Sequence, residues 1–121
     1  AEWEKAARGT DERKWPWGNT WNSEKCNIGE PKPIGSFEEG KSPFGCYDMA
    51  GSAGEWCSDW ADMFYYTVSP KNNPKGPEKG TKKIVRGGSR FGGTGILFRC
   101  TARKAMVPML GNIGVGFRCA K

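Results

Sequence analysis

The sequence of 121 residues contains no histidine. Its five cysteines include no pair with the spacing Cys-x-x-Cys, so the usual ligand patterns of a protein zinc site are absent. Ser89 lacks the histidine that would activate a serine nucleophile. No apolar run is long enough to span a membrane as a helix. The first two absences argue against a zinc enzyme and against a serine hydrolase.

Long hydrophobic elements are also scarce. Hydrophobic residues make up 36% of the chain, whereas there are eighteen glycines and eight prolines. This composition predicts one domain over residues 1–121, with many turns and little long helix or sheet. The net charge of +6 would be compatible with a nucleic-acid partner. The lysines are scattered or lie in the predicted surface loop 70–83. This distribution argues against nucleic-acid binding.

The segment 43–60 is the centre of the predicted core. It is rich in glycine, alanine and aromatic residues, and two acids, Asp48 and Glu55, lie inside its apolar run. A carboxylate in such surroundings needs hydrogen-bond donors or a cation, because an unpaired buried charge is costly. A hard cation such as Ca²⁺ satisfies that need. Trp56 and Trp60 are predicted to anchor opposite sides of a turn to the sheet.

The remaining elements are short. Good helix formers predict a helix over Glu2–Arg8 that ends at Gly9, with Trp3, Ala6 and Ala7 on one face. The segment 62–83 is predicted to be a long loop in which Tyr65 and Tyr66 pack down. Apolar, β-prone residues predict short strands over 34–37, 84–86, 98–102 and 116–120.

Five segments in the same order resemble one known family. The core segment reads GCYDMAGSAGEW and resembles the G-x-Y-D-M-x-G-N-x-x-E-W signature of the formylglycine-generating enzyme (sulfatase-modifying factor) family. The other matching segments are 1–9, 16–19, 86–89 and 116–120. The resemblance implies an α+β, C-type-lectin-like fold of the formylglycine-generating-enzyme subclass, with short strands, few helices and long ordered loops. In that family further strands precede the first helix, so we expect the N-terminal part of the domain to be missing.

The resemblance also bears on catalysis. Catalytic members bind copper through two cysteines between the R-G-G-S turn and the R-C-x-x-R segment. Here that interval, 90–98, contains no cysteine, so we expect no copper and no formylglycine-forming oxidase activity. Iron-dependent sulfoxide synthases of the family take histidine ligands from a second domain, and this chain has neither. Cys100 matches a structural cysteine; it could form a disulfide with Cys119, but the sequence leaves the connectivity open.

The resemblance implies a structural calcium site. It assigns Asp48 and Glu55 as side-chain ligands and Gly51 and Ala53 as carbonyl ligands. A first calcium site of the family begins at Asn27, but the loop that supplies its other ligands is short here. We therefore expect only the site at 48–55.

The clearest departure from the family lies between residues 90 and 115. The run 104–115 is apolar where catalytic members are polar. The layout is similar to that of variable proteins of diversity-generating retroelements, which keep an invariant frame and diversify the surface residues between. On this reading the protein is not an enzyme, and it displays a variable surface to a protein ligand. The predicted ligand-binding residues are Arg90, Phe91, Thr94, Ile96, Leu97, Lys104, Ala105, Met106, Val107, Met109 and Leu110.

Three alternatives remain open at this point. The chain could be a fragment or inactive relative of a sulfatase-modifying formylglycine-generating oxidase, or a structural module of a larger chain. The apolar run could also pack under a neighbouring loop, or against the missing N-terminal part, which would then be a partner of this chain.

Overall fold

A computed structural model describes residues 1–120. Within them there are one small sheet and two short helices, and most of the chain forms loops. The helices are α1 (Glu2–Arg8) and α2 (Tyr65–Val68), and the strands are β1 (Gly54–Trp60), β2 (Lys83–Arg86), β3 (Lys104–Met106) and β4 (Val115–Gly116). Single 3₁₀ turns occur at Ser23–Lys25, Glu38–Gly40 and Gly95–Phe98. No described helix has both the length and the hydropathy needed to cross a membrane.

Helix α1 has the bounds that the sequence predicts. Gly9 ends it with a positive φ of 77°, a conformation that glycine adopts without strain. Ala7 is fully buried and packs with Met49 and Cys100, and Trp3 and Ala6 pack against the same cluster. The predicted apolar face therefore attaches the helix to the centre of the core segment.

The sheet has the strand order β3-β2-β1-β4. β2 is antiparallel to both β1 and β3, whereas β4 is parallel to β1. Trp56 and Trp60 both lie in β1, with an irregularity of register between them. The prediction that they flank a turn is therefore wrong, because residues 54–60 continue in extended conformation.

Two buried clusters make up the core, and the segment 43–60 joins them. Met49 belongs to the cluster under α1, and the adjacent Ala50 belongs to a cluster with Trp15 and Phe98. Gly51 follows with a φ of 79°, and a Cβ there would lie 2.4 Å from the Asn27 carbonyl oxygen. Only glycine allows the chain to pass so close.

Two predicted strands are absent from the described residues. Residues 34–37 begin with a turn in which Ile34 is 95% exposed and Gly35 has a φ of 78°. Because Ile34 is exposed and Gly35 lies in a turn, this segment does not form the predicted strand. Phe98 is fully buried, but it ends a 3₁₀ turn instead of starting a strand over 98–102.

Other boundaries differ by less. The last strand covers only Val115 and Gly116, so the predicted strand over 116–120 is shorter and starts one residue earlier. The loop 62–83 contains the single turn of α2, where Tyr65 is half-buried and Tyr66 is exposed. The predicted packing of Tyr66 is therefore wrong.

Candidate binding site

The predicted ligand-binding residues lie almost entirely at the surface. The large apolar members are between 36% and 91% exposed, namely Phe91, Ile96, Leu97, Val107, Met109 and Leu110. Thr94, Lys104 and Ala105 are also exposed, and Arg90 and Met106 are half-buried. The run thus faces solvent within the described residues instead of packing under a neighbouring loop. Whether these residues bind a ligand stays a prediction.

Three of these residues meet at one cavity. Leu97, Lys104 and Met106 line a hollow of about 160 Å³ between strands β2 and β3 and the loops around residues 88–97 and 112–114. We call it the glycine-walled cavity, because its walls include Gly87, Gly88, Gly92 and Gly114. Its interior combines apolar Val85 and Val115 with polar Ser89 and Asn112.

Close packing of backbone and rings shapes this cavity. Gly88 has a φ of 70°, and a Cβ there would come within 2.8 Å of the buried Phe98 ring. A Cβ on Gly114 would come within 3.0 Å of the Phe91 ring. Phe91 therefore lies against the loop that forms one wall of the cavity, although it is not itself among the lining residues.

Arg90 holds the start of the exposed loop in place. Its Nη1 donates to the Gly29 carbonyl at 2.8 Å, and its guanidinium carbon Cζ lies 4.3 Å from the Phe91 ring centre. Its backbone N–H donates to Ser52, and its carbonyl accepts from the N–H of Gly29 at 2.7 Å. Arg90 is thus tied to the core side of the loop, whereas Phe91 beyond it is exposed.

The predicted set is not a single face. Ala105 is paired with Ile84, whereas Lys104 is paired with Val85, and neighbouring residues of a strand point to opposite faces. Ala105 therefore faces away from the glycine-walled cavity. Thr94, Ile96, Val107, Met109 and Leu110 are exposed without lining it. Three further cavity residues, Ser89, Arg103 and Asn112, were not predicted from the sequence. The available signal was the clustering of glycines in two loops.

The predicted calcium ligands lie around a second, open cleft. Asp48, Ala53 and Glu55 line this space of about 660 Å³, whereas Gly51 does not. Arg118 donates to both oxygens of Glu55, at 2.8 to 3.1 Å, and Trp3 Nε1 donates to Oε2 at 2.6 Å. The hydrogen bonds to Glu55 raise the pKa of Arg118 above its ordinary value.

These residues, as arranged, do not fit a calcium ion. Both oxygens of Glu55 are engaged by donors, and one oxygen of Asp48 accepts from the Gly35 N–H at 2.9 Å. Arg90 and Arg118 bring positive charge to the same cleft. Residues 1–120 contain no group of three or more histidine, cysteine or acidic side chains placed to hold a metal. Calcium binding remains a prediction, and it requires Arg118 to leave Glu55.

Burial shields two of the five thiols, those of Cys26 and Cys100. All five cysteines are free in the part of the chain that the structure describes. Burial raises the pKa of both Cys26 and Cys100 to about 11, so both remain protonated thiols near neutral pH. Cys119 is exposed and forms no disulfide with Cys100. The exposed loop from Ser89 to Arg99 offers no thiolate.

Comparison with known proteins identifies the family. The sequence profile of the sulfatase-modifying factor enzyme 1-like domain matches residues 1–121. The chain belongs to this family. It is similar to the formylglycine-generating enzyme of Thermomonospora curvata, with 36% identity over 99% of this chain and 47% of the relative. It is also similar to the serine/threonine-protein kinase pkn1 of Chlamydia caviae, with 35% identity over the whole chain and 20% of the relative. The chain thus spans less than half the length of these relatives.

Solved structures share its fold. The variable protein 1 of Treponema denticola superposes with a TM-score of 0.74, at 26% identity over 96% of this chain and 43% of that one. PvdO of Pseudomonas aeruginosa superposes with a TM-score of 0.77, at 25% identity over 96% of this chain and 48% of that one. The α+β fold expected from the sequence, C-type-lectin-like and of the formylglycine-generating-enzyme subclass, is confirmed.

Proposed function

We propose that this sulfatase-modifying-factor domain is a binding module and not an enzyme. Its exposed loops between residues 90 and 110 take a protein ligand, in the manner of a variable protein of a diversity-generating retroelement. The observation that carries the proposal is the contrast between frame and loop. Arg86, Phe98 and Cys100 are at most 4% exposed, whereas the apolar side chains between and after them face solvent.

Such exposure is a cost that a ligand would repay. An exposed group of large apolar side chains is characteristic of a partner site, and six such side chains are exposed between residues 91 and 110. The chain also has a cavity at the same loops, and its polar groups Ser89 and Asn112 could fix the orientation of what enters. The likeness to Treponema denticola variable protein 1 supports the proposal at the level of the scaffold.

The chemistry of the loop disfavours the alternative, a piece of a formylglycine-generating oxidase. The loop 90–98 has no cysteine to hold copper, and Cys100, just after it, is fully buried. We expect no copper-dependent oxidation of a cysteine-containing sulfatase peptide by the purified chain. Turnover that is lost in Cys100→Ser would support the oxidase reading instead.

A library selection tests the binding function. Random peptides displayed on phage are selected against the chain, and a variant with serine at 91, 96, 107 and 110 serves as the counter-target. We expect the variant to melt close to the wild type, because these side chains are exposed, and to lose the selected peptides. Loss of its cooperative melt would mean that the residues are core. If the selection yields no peptide whose binding depends on these residues, the binding function is contradicted.

The coding DNA provides an independent test of the variable-protein reading. We expect a near-identical template repeat near the gene, carrying adenines at the codons for Arg90, Phe91, Ile96, Leu97 and Leu110. A locus without any such repeat would reject diversification while leaving a fixed binding surface possible.

A further inference from the structure

The acidic and basic residues of this chain are strongly segregated. Residues 79–121 contain ten of the nineteen lysines and arginines and none of the thirteen acids. Residues 1–78 contain the other nine basic residues and all thirteen acids. The formal charges are therefore +10 and −4, which together give the net charge of +6. Every residue of the candidate binding surface belongs to the purely basic part.

The fold neutralises only some of this charge. Arg86 and Arg103 pair with Glu4, and Arg118 pairs with Glu55. Lys104 is exposed and has no ion pair within residues 1–120, although it lines the glycine-walled cavity. Arg90, beside Phe91, also has no carboxylate partner there and uses its guanidinium on a backbone carbonyl. The surface thus keeps positive charge next to its apolar groups.

The cavity itself suits one apolar side chain. An apolar cavity of about 150 Å³ holds a molecule the size of benzene. The cavity here, at about 160 Å³, has Leu97, Met106 and Val115 in its lining and no acidic residue. Leu97 and Lys104 are exposed at its edge, so a side chain from outside can enter beside an unpaired ammonium group.

We propose that the ligand is an acidic protein segment that inserts one apolar side chain into the glycine-walled cavity and places carboxylates near Lys104. This inference rests on the proposed binding function and adds the chemical class of the partner. Complementary charge on two partners speeds their encounter and disfavours partners of like charge. A nucleic acid fits less well, because single strands bind on aromatic platforms and Phe91 is the only aromatic residue among the exposed groups of this surface.

Designed peptides test the inference directly. The probe is a labelled peptide with one central leucine flanked by aspartates, and its affinity for the chain is measured by fluorescence anisotropy. One control peptide has serine for leucine, and another has lysines for the aspartates. We expect the serine peptide to bind about tenfold more weakly, as burial of one apolar side chain implies. We expect the lysine peptide not to bind.

A matched pair of variants tests whether Lys104 contacts the acidic peptide. Lys104→Glu should weaken the aspartate peptide about fivefold at low salt, and the effect should shrink as salt is added. Lys71→Glu makes the same change of charge at a residue that does not line the cavity and should alter affinity less than about twofold. Equal effects of the two variants would overturn the proposed contact at Lys104.

The remaining outcomes separate this inference from the function on which it rests. Enrichment of neutral or basic apolar peptides in the phage selection would overturn the acidic ligand but leave the binding function standing. Tighter binding of labelled oligothymidine than of the aspartate peptide would overturn it in favour of nucleic acid. Absence of any peptide that depends on the exposed loop residues would reject both proposals.

Discussion

Arg118 and Glu55 lie 63 positions apart in the chain and are joined by a forked set of hydrogen bonds. Arg118 also donates to the Tyr47 carbonyl at 2.9 Å, and Glu55 accepts from Trp3 on helix α1. One half-buried carboxylate therefore links the first helix, strand β1 and the end of the chain. Pairing of an arginine fork with a carboxylate gives both strength and fixed geometry.

Removing this charge should destabilise the fold. We expect Glu55→Gln to lower the free energy of unfolding by about 2 kcal/mol, the usual range for hydrogen bonds to a charged group. Glu38→Gln is the matched control, because Glu38 pairs with Lys41 in an exposed position. Urea titration of both variants gives the comparison. A loss at Glu38 as large as that at Glu55 would contradict the linking role.

Calcium and Arg118 should compete for Glu55. We expect added Ca²⁺ to raise the melting temperature of metal-free Arg118→Ala more than that of the metal-free wild type, because the variant leaves the carboxylate without its cation. Glu55→Gln in the same Arg118→Ala background should remove the calcium response. An equal response of wild type and Arg118→Ala would rule out the competition, and no response in either would reject the calcium prediction.

Stability should depend on pH through Glu4. Burial alone would raise the pKa of Glu4, but the hydrogen bond from Arg86 and the charges of Arg86, Arg103 and Arg8 outweigh it. Its pKa in the folded state thus lies below the ordinary glutamate value of 4.5. The resulting stability is present above that value and is lost as pH falls through the lower, folded pKa.

The matching measurement compares wild type with Glu4→Gln in urea titrations from pH 7 to below pH 4. We expect the wild type to be more stable at pH 7 and its advantage to shrink as the pH falls below about 4.5. A constant difference across that range would mean that protonation of Glu4 has no part in it.

Neighbouring positions 97 and 98 should separate stability from binding. Phe98 is fully buried, so Phe98→Ala should cost about 3–5 kcal/mol in a denaturant titration. Leu97 is 54% exposed and lines the glycine-walled cavity, so Leu97→Ala should cost under about 1 kcal/mol and weaken peptide binding. If both variants lose similar stability, Leu97 belongs to the core and not to the binding surface.

Local signals were enough for part of this fold. Helix α1 was predicted to its last residue, because its helix formers, its apolar face and the terminal Gly9 are all visible in the local sequence. The strand ending at Arg86 was predicted within one residue for a similar reason. The strand predicted over 34–37 was wrong because an apolar residue such as Ile34 need not be buried. The strand predicted over 98–102 was wrong because a buried aromatic residue such as Phe98 need not lie in a strand.

The site was harder to predict from the sequence. Exposure of the apolar side chains at 91, 96, 97, 107, 109 and 110 was predicted from their departure from the family pattern. The pairing of Arg118 with Glu55 had no local signal, because it joins residues far apart in the chain. The cavity depends on how two loops approach each other across β2 and β3, which spacing along the chain does not specify.

The position of β3 has a consequence for how copies of this domain meet. β3 is an edge strand of only three residues, begins with Lys104 and is followed by Pro108 two positions after its end. Short length, lysine and proline are devices that protect open sheet edges from strand pairing between molecules. Two such surfaces would also bring like charges together. The domain can therefore expose apolar side chains in solution while resisting self-association through the same edge.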